Sequence, residues 1–167
     1  MNVSDALVRA LHGQKDMQRQ CRFGFVPAPT GGPYDAEAFA DGVSVAVHAI
    51  DTGRYGLRMS RLHLHADGEM DTHGILDAIT AGVVTPYGPF LAAEGDGDSA
   101  RTHAVGEAGS YYEVRVDNAG EVVVTHHAQA PGRDEPQATP VDIGLDMFRI
   151  MVVDLVEALR RALIPSV

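Results

Sequence analysis

The sequence predicts an α+β domain: an antiparallel sheet of about five strands with N-terminal, middle and long C-terminal helices, in the order α-β-β-β-α-β-β-α. Three observations carry this prediction. The segment "VDIGLDMFRIMVVDLVEALRRALIP" (141–165) has a sustained apolar stripe at helical spacing, "YYEVRVDNAGEVVVTHH" (111–127) reads as a hairpin, and "VSVAVHAI" (43–50) alternates as a strand. Strands in consecutive runs, without a helix between each pair, favour an antiparallel sheet. At 167 residues and 45% hydrophobic composition, the chain is sized for a single domain spanning 1–167.

The elements follow in order. "NVSDALVRALHG" places Val3, Leu7 and Leu11 on one helical face, with Asn2 or Ser4 as N-cap and Gly13 as the terminating glycine. After the polar "QKDMQRQ", "CRFGFV" reads as the first strand, with Cys21 a half-buried thiol at its start. Residues 27–42, rich in Pro, Gly and Ala, read as a long loop. In the next strand Val43, Val45, Val47 and Ala49 share a face, and "DTGRYG" turns the chain into "LRMSRLHLHA". That strand contains a parity slip: Leu57 and Met59 have one parity, Leu62, Leu64 and Ala66 the other. A β-bulge near Ser60–Arg61 returns all five to the core and sends His63 and His65 to the polar face.

"DTHGILDAITAG" predicts a short helix capped by Asp71 or Thr72, with Ile75, Leu76 and Ile79 buried and Gly82 near its end. "VVTPYGPFLAA" has room for an edge strand, and 94–109 reads as a loop. In the hairpin, Tyr112, Val114 and Val116 lead into Asn118-Ala119-Gly120, and Val122 and Val124 lead out, which predicts a three-residue loop with Gly in the left-handed position. Residues 129–141 read as a linker. The last helix takes Asp142 as cap, Arg160 and Arg161 at its negative end and Pro165 as its stop. Its main face is Phe148, Met151, Val152, Leu155, Val156, Leu159 and Leu163, while Met147, Ile150 and Val153 widen the stripe. Such a helix lies either in a deep groove of its own domain or against a partner chain.

The order of elements, the mid-chain "ILDAITAG" followed by "GPFLAAEGDG", the 111–127 hairpin and the closing "FRIMVVDLVEALRRAL" resemble the type III secretion chaperone-like and YbjN-like superfamily. The resemblance implies a non-enzymatic homodimer that binds another polypeptide, by strand addition or by helix-in-groove contact. The charge agrees with such a partner. With 13 basic against 23 acidic residues, the net charge of −10 opposes binding to nucleic acid or to anionic membranes. No apolar run reaches the ~20 residues of a membrane span, and the first residues lack a secretory pattern, so a cytoplasmic location is expected. The single Cys21 excludes an internal disulfide and multi-cysteine zinc sites.

The chemistry candidates centre on "RLHLHADGEMDTHG" (61–74). Two histidines at i and i+2 on a strand share a face with Cα atoms roughly 6.5–7 Å apart, so His63 and His65 suit one cation such as Zn or another divalent transition metal. His73, Asp67, Asp71, His126 or His127 could complete the set, giving an alternative reading as a small metal-dependent hydrolase or metal-binding protein. The same stretch looks like the metal-binding first strand of adenosine-deaminase-type amidohydrolases. That barrel needs ~250 residues, and only about a hundred follow here, so no role is carried over. "EGDGDS" spaces Glu94, Asp96 and Asp98 like a calcium loop, but Ser99 stands where Gly is needed and Val105 where Glu is needed. No nucleophile elbow, Walker A or dinucleotide glycine pattern is present, so no catalytic residue or cofactor is assigned. A further alternative is an accessory protein of a phage or secretion apparatus.

Overall fold

The computed structural model describes residues 2–22, 33–68, 71–92, 97–117 and 119–163, with the backbone alone at 18–22. Helix α1 runs over Val3–Arg22. It is followed by β1 (Tyr34–Ala40), β2 (Val43–Thr52), β3 (Gly56–Ala66) and α2 (Thr72–Gly82). Four short strands come next: β4 (Val84–Thr85), β5 (Gly88–Pro89), β6 (Leu91–Ala92) and β7 (Ser99–Arg101). The chain continues with β8 (Tyr111–Val116), β9 (Glu121–Ala128), β10 (Gln137–Ala138), β11 (Val141–Gly144) and α3 (Leu145–Ala162). This is the expected α+β arrangement, with the five longest strands antiparallel in the order β1-β2-β3-β9-β8 and β7 and β6 extending the sheet.

Sequence patterning explains the two layers. Along β2, Val43, Val45, Val47 and Ala49 are buried; along β3, Leu57, Met59, Leu62, Leu64 and Ala66 are buried. The bulge falls where the parity slip places it: His48 pairs with Arg61 and Ala49 with Met59, leaving Ser60 as the extra residue. Ser60 Oγ donates to the His48 carbonyl at 3.0 Å. A second register shift on β2, at Ile50, compensates for the first, so that Thr52 turns inward. The inward side chains meet Leu7 and Leu11 of α1, Ile75 and Ile79 of α2, and Phe148, Met151, Val152, Leu155 and Leu159 of α3 in one continuous core. Helix α3 lies over β2 and β3 and touches both other helices. Its broad apolar face is therefore covered mainly by its own domain, leaving Ile150 and Val153 49% and 41% exposed.

Several boundaries depart from the sequence reading. Helix α1 passes through Gly13 and "QKDMQRQ" to Arg22, because Gln, Lys, Met and Arg are good helix formers and no cap follows the glycine. Cys21 is therefore helical and does not start a strand; residues 23–26 of the expected "CRFGFV" strand lie outside the described residues. The loop expected at 27–42 contains β1. Tyr34, Ala36 and Ala38 point inward and Asp35, Glu37 and Phe39 outward, a period of two disguised by the small alanines. Asp41 and Gly42 both have positive φ, 53° and 81°, as a two-residue hairpin turn requires. Strand β7 lies within 94–109 and β10 within 129–141.

The last helix starts later than expected. "VDIG" forms β11 on β3, where backbone approach is so close that a Cβ at Gly56 would stand 2.8 Å from the Ile143 carbonyl oxygen. Asp142 consequently meets Arg58 across the ladder at 2.9 Å, and Gly144 takes the N-cap position without a side-chain hydrogen bond. Pro165 lies outside the described residues. By contrast α2 is capped by Asp71 as expected. At the β8–β9 hairpin Val116 pairs with Val122, the Asp117 N–H donates to the Glu121 carbonyl at 3.0 Å, and Gly120 has φ 79°.

Candidate functional site

With the helices gathered on one face, the sheet's other face is built from the outward residues of its strands. His63 and His65 lie on it as the bulge requires, opposite Ala46 and Ser44 on β2 and Val123 and Glu121 on β9. Neighbours on both sides leave the two rings half-buried. His63 Nε2 stands 3.2 Å from Glu121 Oε2 but off the line of a hydrogen bond, and neither this nitrogen nor His65 Nδ1 has a hydrogen-bond partner among the described residues. His73 lies elsewhere, in the first turn of α2 within the helical layer. Asp71 caps that helix, its carboxylate accepting from the His73 amide at 3.3 Å. Among the described residues no group of three or more His, Cys, Asp or Glu is placed to hold a metal ion. Thus His63 and His65 come together, and His73 does not join them.

The next polar cluster on this face surrounds Glu113. Its side chain is only 5% exposed, yet Arg101 Nε donates to one oxygen at 2.9 Å and Arg115 Nε to the other at 2.7 Å. His127 Nε2 is 3.8 Å away and its ring stacks on Tyr111 at 5.2 Å between centroids; Arg101 lies over the other ring of that pair, Tyr111, at 5.0 Å. Burial lowers the His127 pKa, with Glu113 opposing the shift and the two arginines adding to it.

His126, the adjacent residue on β9, points into the core, as alternation demands. Its Nε2 is 3.1 Å from the Tyr87 hydroxyl and its Nδ1 is 3.2 Å from Thr139 Oγ1. Tyr112 packs against both rings, 4.8 Å from Tyr87 and 5.3 Å from His126. Its hydroxyl has no hydrogen-bond partner among the described residues. Burial pushes the His126 pKa down and both tyrosine pKa values up, so all three groups favour their neutral forms.

The outer edge of β1 has a different character. The Asp41-Gly42 turn makes Ala40 and Val43 the hydrogen-bonded pair that closes the hairpin. Alternation then makes Ala38/Val45, Ala36/Val47 and Tyr34/Ala49 the other such pairs. The peptide groups of Asp35, Glu37 and Phe39 consequently point away from β2. Gln14 of α1 meets the first of these as a neighbouring strand would: its Oε1 accepts from the Asp35 N–H at 3.1 Å and its Nε2 donates to the Asp35 carbonyl. Glu37 and Phe39 have no equivalent partner among the described residues, and the Phe39 side chain is 76% exposed beside them.

No family model, curated protein or solved structure matches this chain.

Sequence reasoning overlooked Glu113, Tyr87 and the β1 edge. For β1 a signal existed, since Asp41-Gly42 between "AEAFA" and "VSVAV" is a strong two-residue hairpin pattern. For Glu113 the sequence offered only a charge at an outward position of a strand; its burial depends on Arg101, which arrives from a separate strand.

Proposed function

We propose that the chain is a non-enzymatic adaptor that binds another polypeptide by strand addition at the outer edge of β1. The observation that carries this reading is the pair of outward peptide groups at Glu37 and Phe39, beside the one at Asp35 that Gln14 already engages. An extended segment laid there gains main-chain hydrogen bonds, and the exposed Phe39 ring supplies an apolar contact for one of its side chains. The reading agrees with what the sequence's resemblance to secretion chaperone-like proteins implies, a chain that binds another polypeptide. Self-association is its second part: Ile150 and Val153 give two copies a small apolar contact on α3 that leaves both β1 edges open.

Replacing Glu37 with Pro tests the first part, because the lost N–H points away from β2 and the β1–β2 ladder keeps its bonds. The polypeptide that the wild-type chain captures from its host's extract is purified and titrated against both forms. Affinity should fall at least about tenfold with the thermal midpoint little changed; equal affinity, or no captured polypeptide, counts against the reading. Light scattering tests the second part: a mass of about twice 17.8 kDa is expected, reverting to one chain in Ile150→Asp/Val153→Asp. A wild-type monomer would remove it.

A further inference from the structure

Helix α1, the β2–β3 turn and the start of α3 enclose a cleft of about 470 Å3, lined by Asp5, Val8, Arg9, His12, Arg54, Tyr55, Leu145, Asp146 and Arg149. Val8 and Leu145 are buried and form an apolar floor, whereas Arg9, Arg54 and Tyr55 stand exposed at the rim. An adjoining cleft of about 340 Å3 shares His12 and Arg54 and adds Lys15, Asp16, Thr52 and Gly53. Four of the chain's 13 cationic side chains line these two clefts, against three of its 23 acidic ones. In a chain of net charge −10, this is a local reversal of sign.

The ion pairs leave part of that charge uncommitted. Asp5 and Asp146 both face Arg149, at 3.0 and 3.7 Å, and Lys15 bonds to Asp51 at 2.8 Å. Arg54 stacks over Tyr55 at 5.3 Å, and neither Arg9 nor Arg54 has a carboxylate partner among the described residues. Two further features border these clefts. The 18-residue α3 begins here with no side-chain cap, its Leu145 N–H bonded to the Tyr55 carbonyl at 2.9 Å. Thr52, 2% exposed, lines the adjoining cleft, and its Oγ1 has no hydrogen-bond partner among the described residues. A buried hydroxyl without a partner costs stability, so an acceptor that reaches it is favoured.

We propose that this cleft binds a small organic oxyanion, a phosphate ester or carboxylate held between Arg9 and Arg54 at the boundary of the two clefts. The planar guanidinium groups donate to the oxyanion, the Thr52 hydroxyl donates from the adjoining side, and the N-terminal dipole of α3 adds to the attraction. The organic part rests on Val8, Leu145 and the Tyr55 ring. The site is separate from the β1 edge and from its partner.

Calorimetric titration of the full chain at low salt with phenyl phosphate, benzoate, inorganic phosphate and the neutral control phenol tests this, with amide NMR shifts locating the contact. Phenyl phosphate or benzoate should bind, more tightly than inorganic phosphate and with phenol silent, and should move the Asp146 and Met147 amides. Whichever of the two binds more tightly identifies the oxyanion. Arg9→Gln and Arg54→Gln should each weaken binding about tenfold. Thr52→Val should also weaken it without lowering the thermal midpoint, a combination that a purely structural role would not give. No binding by either organic anion, shifts elsewhere, or inorganic phosphate binding as well as phenyl phosphate, which means an adventitious ion only, overturns the proposal.

Discussion

Glu113 and His126 occupy neighbouring positions across the β8–β9 hairpin on opposite faces of the sheet, and they test the structure in different ways. Glu113 is a buried carboxylate whose partners Arg101 and Arg115 are each about half exposed. Removing the carboxylate strands two cations that solvent can reach, so the expense is moderate: Glu113→Ala should destabilise by about 2 kcal/mol in urea denaturation. Arg101→Ala, which leaves Arg115 in place, should lose about half as much. His126 and His127 share a downward pKa shift caused by burial. Each ring binds its proton more weakly in the folded chain than in the unfolded one. Their stabilisation is therefore complete above the unfolded value of 6.5 and is lost as pH falls below it through the depressed folded value. The slope should not exceed about 1.4 kcal/mol per pH unit for each group. Urea midpoints measured across this range should fall with acidity, and less steeply in His126→Phe; an identical slope in that variant would exclude His126 as a contributor.

Among the elements, β3 depends most on a single residue outside its own hydrophobic pattern. Gly56 permits the close approach of β11, and Gly56→Ala should force the two strands apart, costing about 1–3 kcal/mol by denaturation while leaving the β1–β2 and β8–β9 hairpins intact by amide exchange. The sequence made β2, β3, α2, β8 and β9 legible because each carries a period or a cap within its own residues. The bulge at Ser60 was legible for the same reason, as five apolar side chains can share a face only if one residue is skipped. Strand β11 was hidden because "VDIG" runs directly into the helical stripe of α3, and only pairing with the distant β3 separates them. Strand β1 was hidden by alanine, whose weak apolarity flattens the alternation, although the Asp-Gly turn beside it pointed to a hairpin. The candidate sites were less legible still. The His63/His65 pair was visible as spacing, whereas the Gln14 clamp and the arginine-lined cleft join residues from separate elements.

At the scale of the molecule, the three helices of the described residues against one face of an antiparallel sheet follow from the balance of striped and alternating segments. No helix among the described residues is long and apolar enough to cross a membrane. The large buried side chains of α3 tie the layers together, and Phe148→Ala or Leu155→Ala should cost about 3–5 kcal/mol each in urea denaturation. Because β3 shares its second edge between β9 and β11, with Ser60 at the changeover, its first half finds that neighbour 80 or more residues along the chain. During synthesis β11 and α3 emerge after every strand they pair with or cover. A fragment ending at residue 140 should show no cooperative thermal transition, and its β2 and β3 should leave exposed the part of their apolar face that α3 covers. Once β3 has been made, the part of that face which α3 covers thus depends on some other surface for shielding, until α3 arrives to displace it.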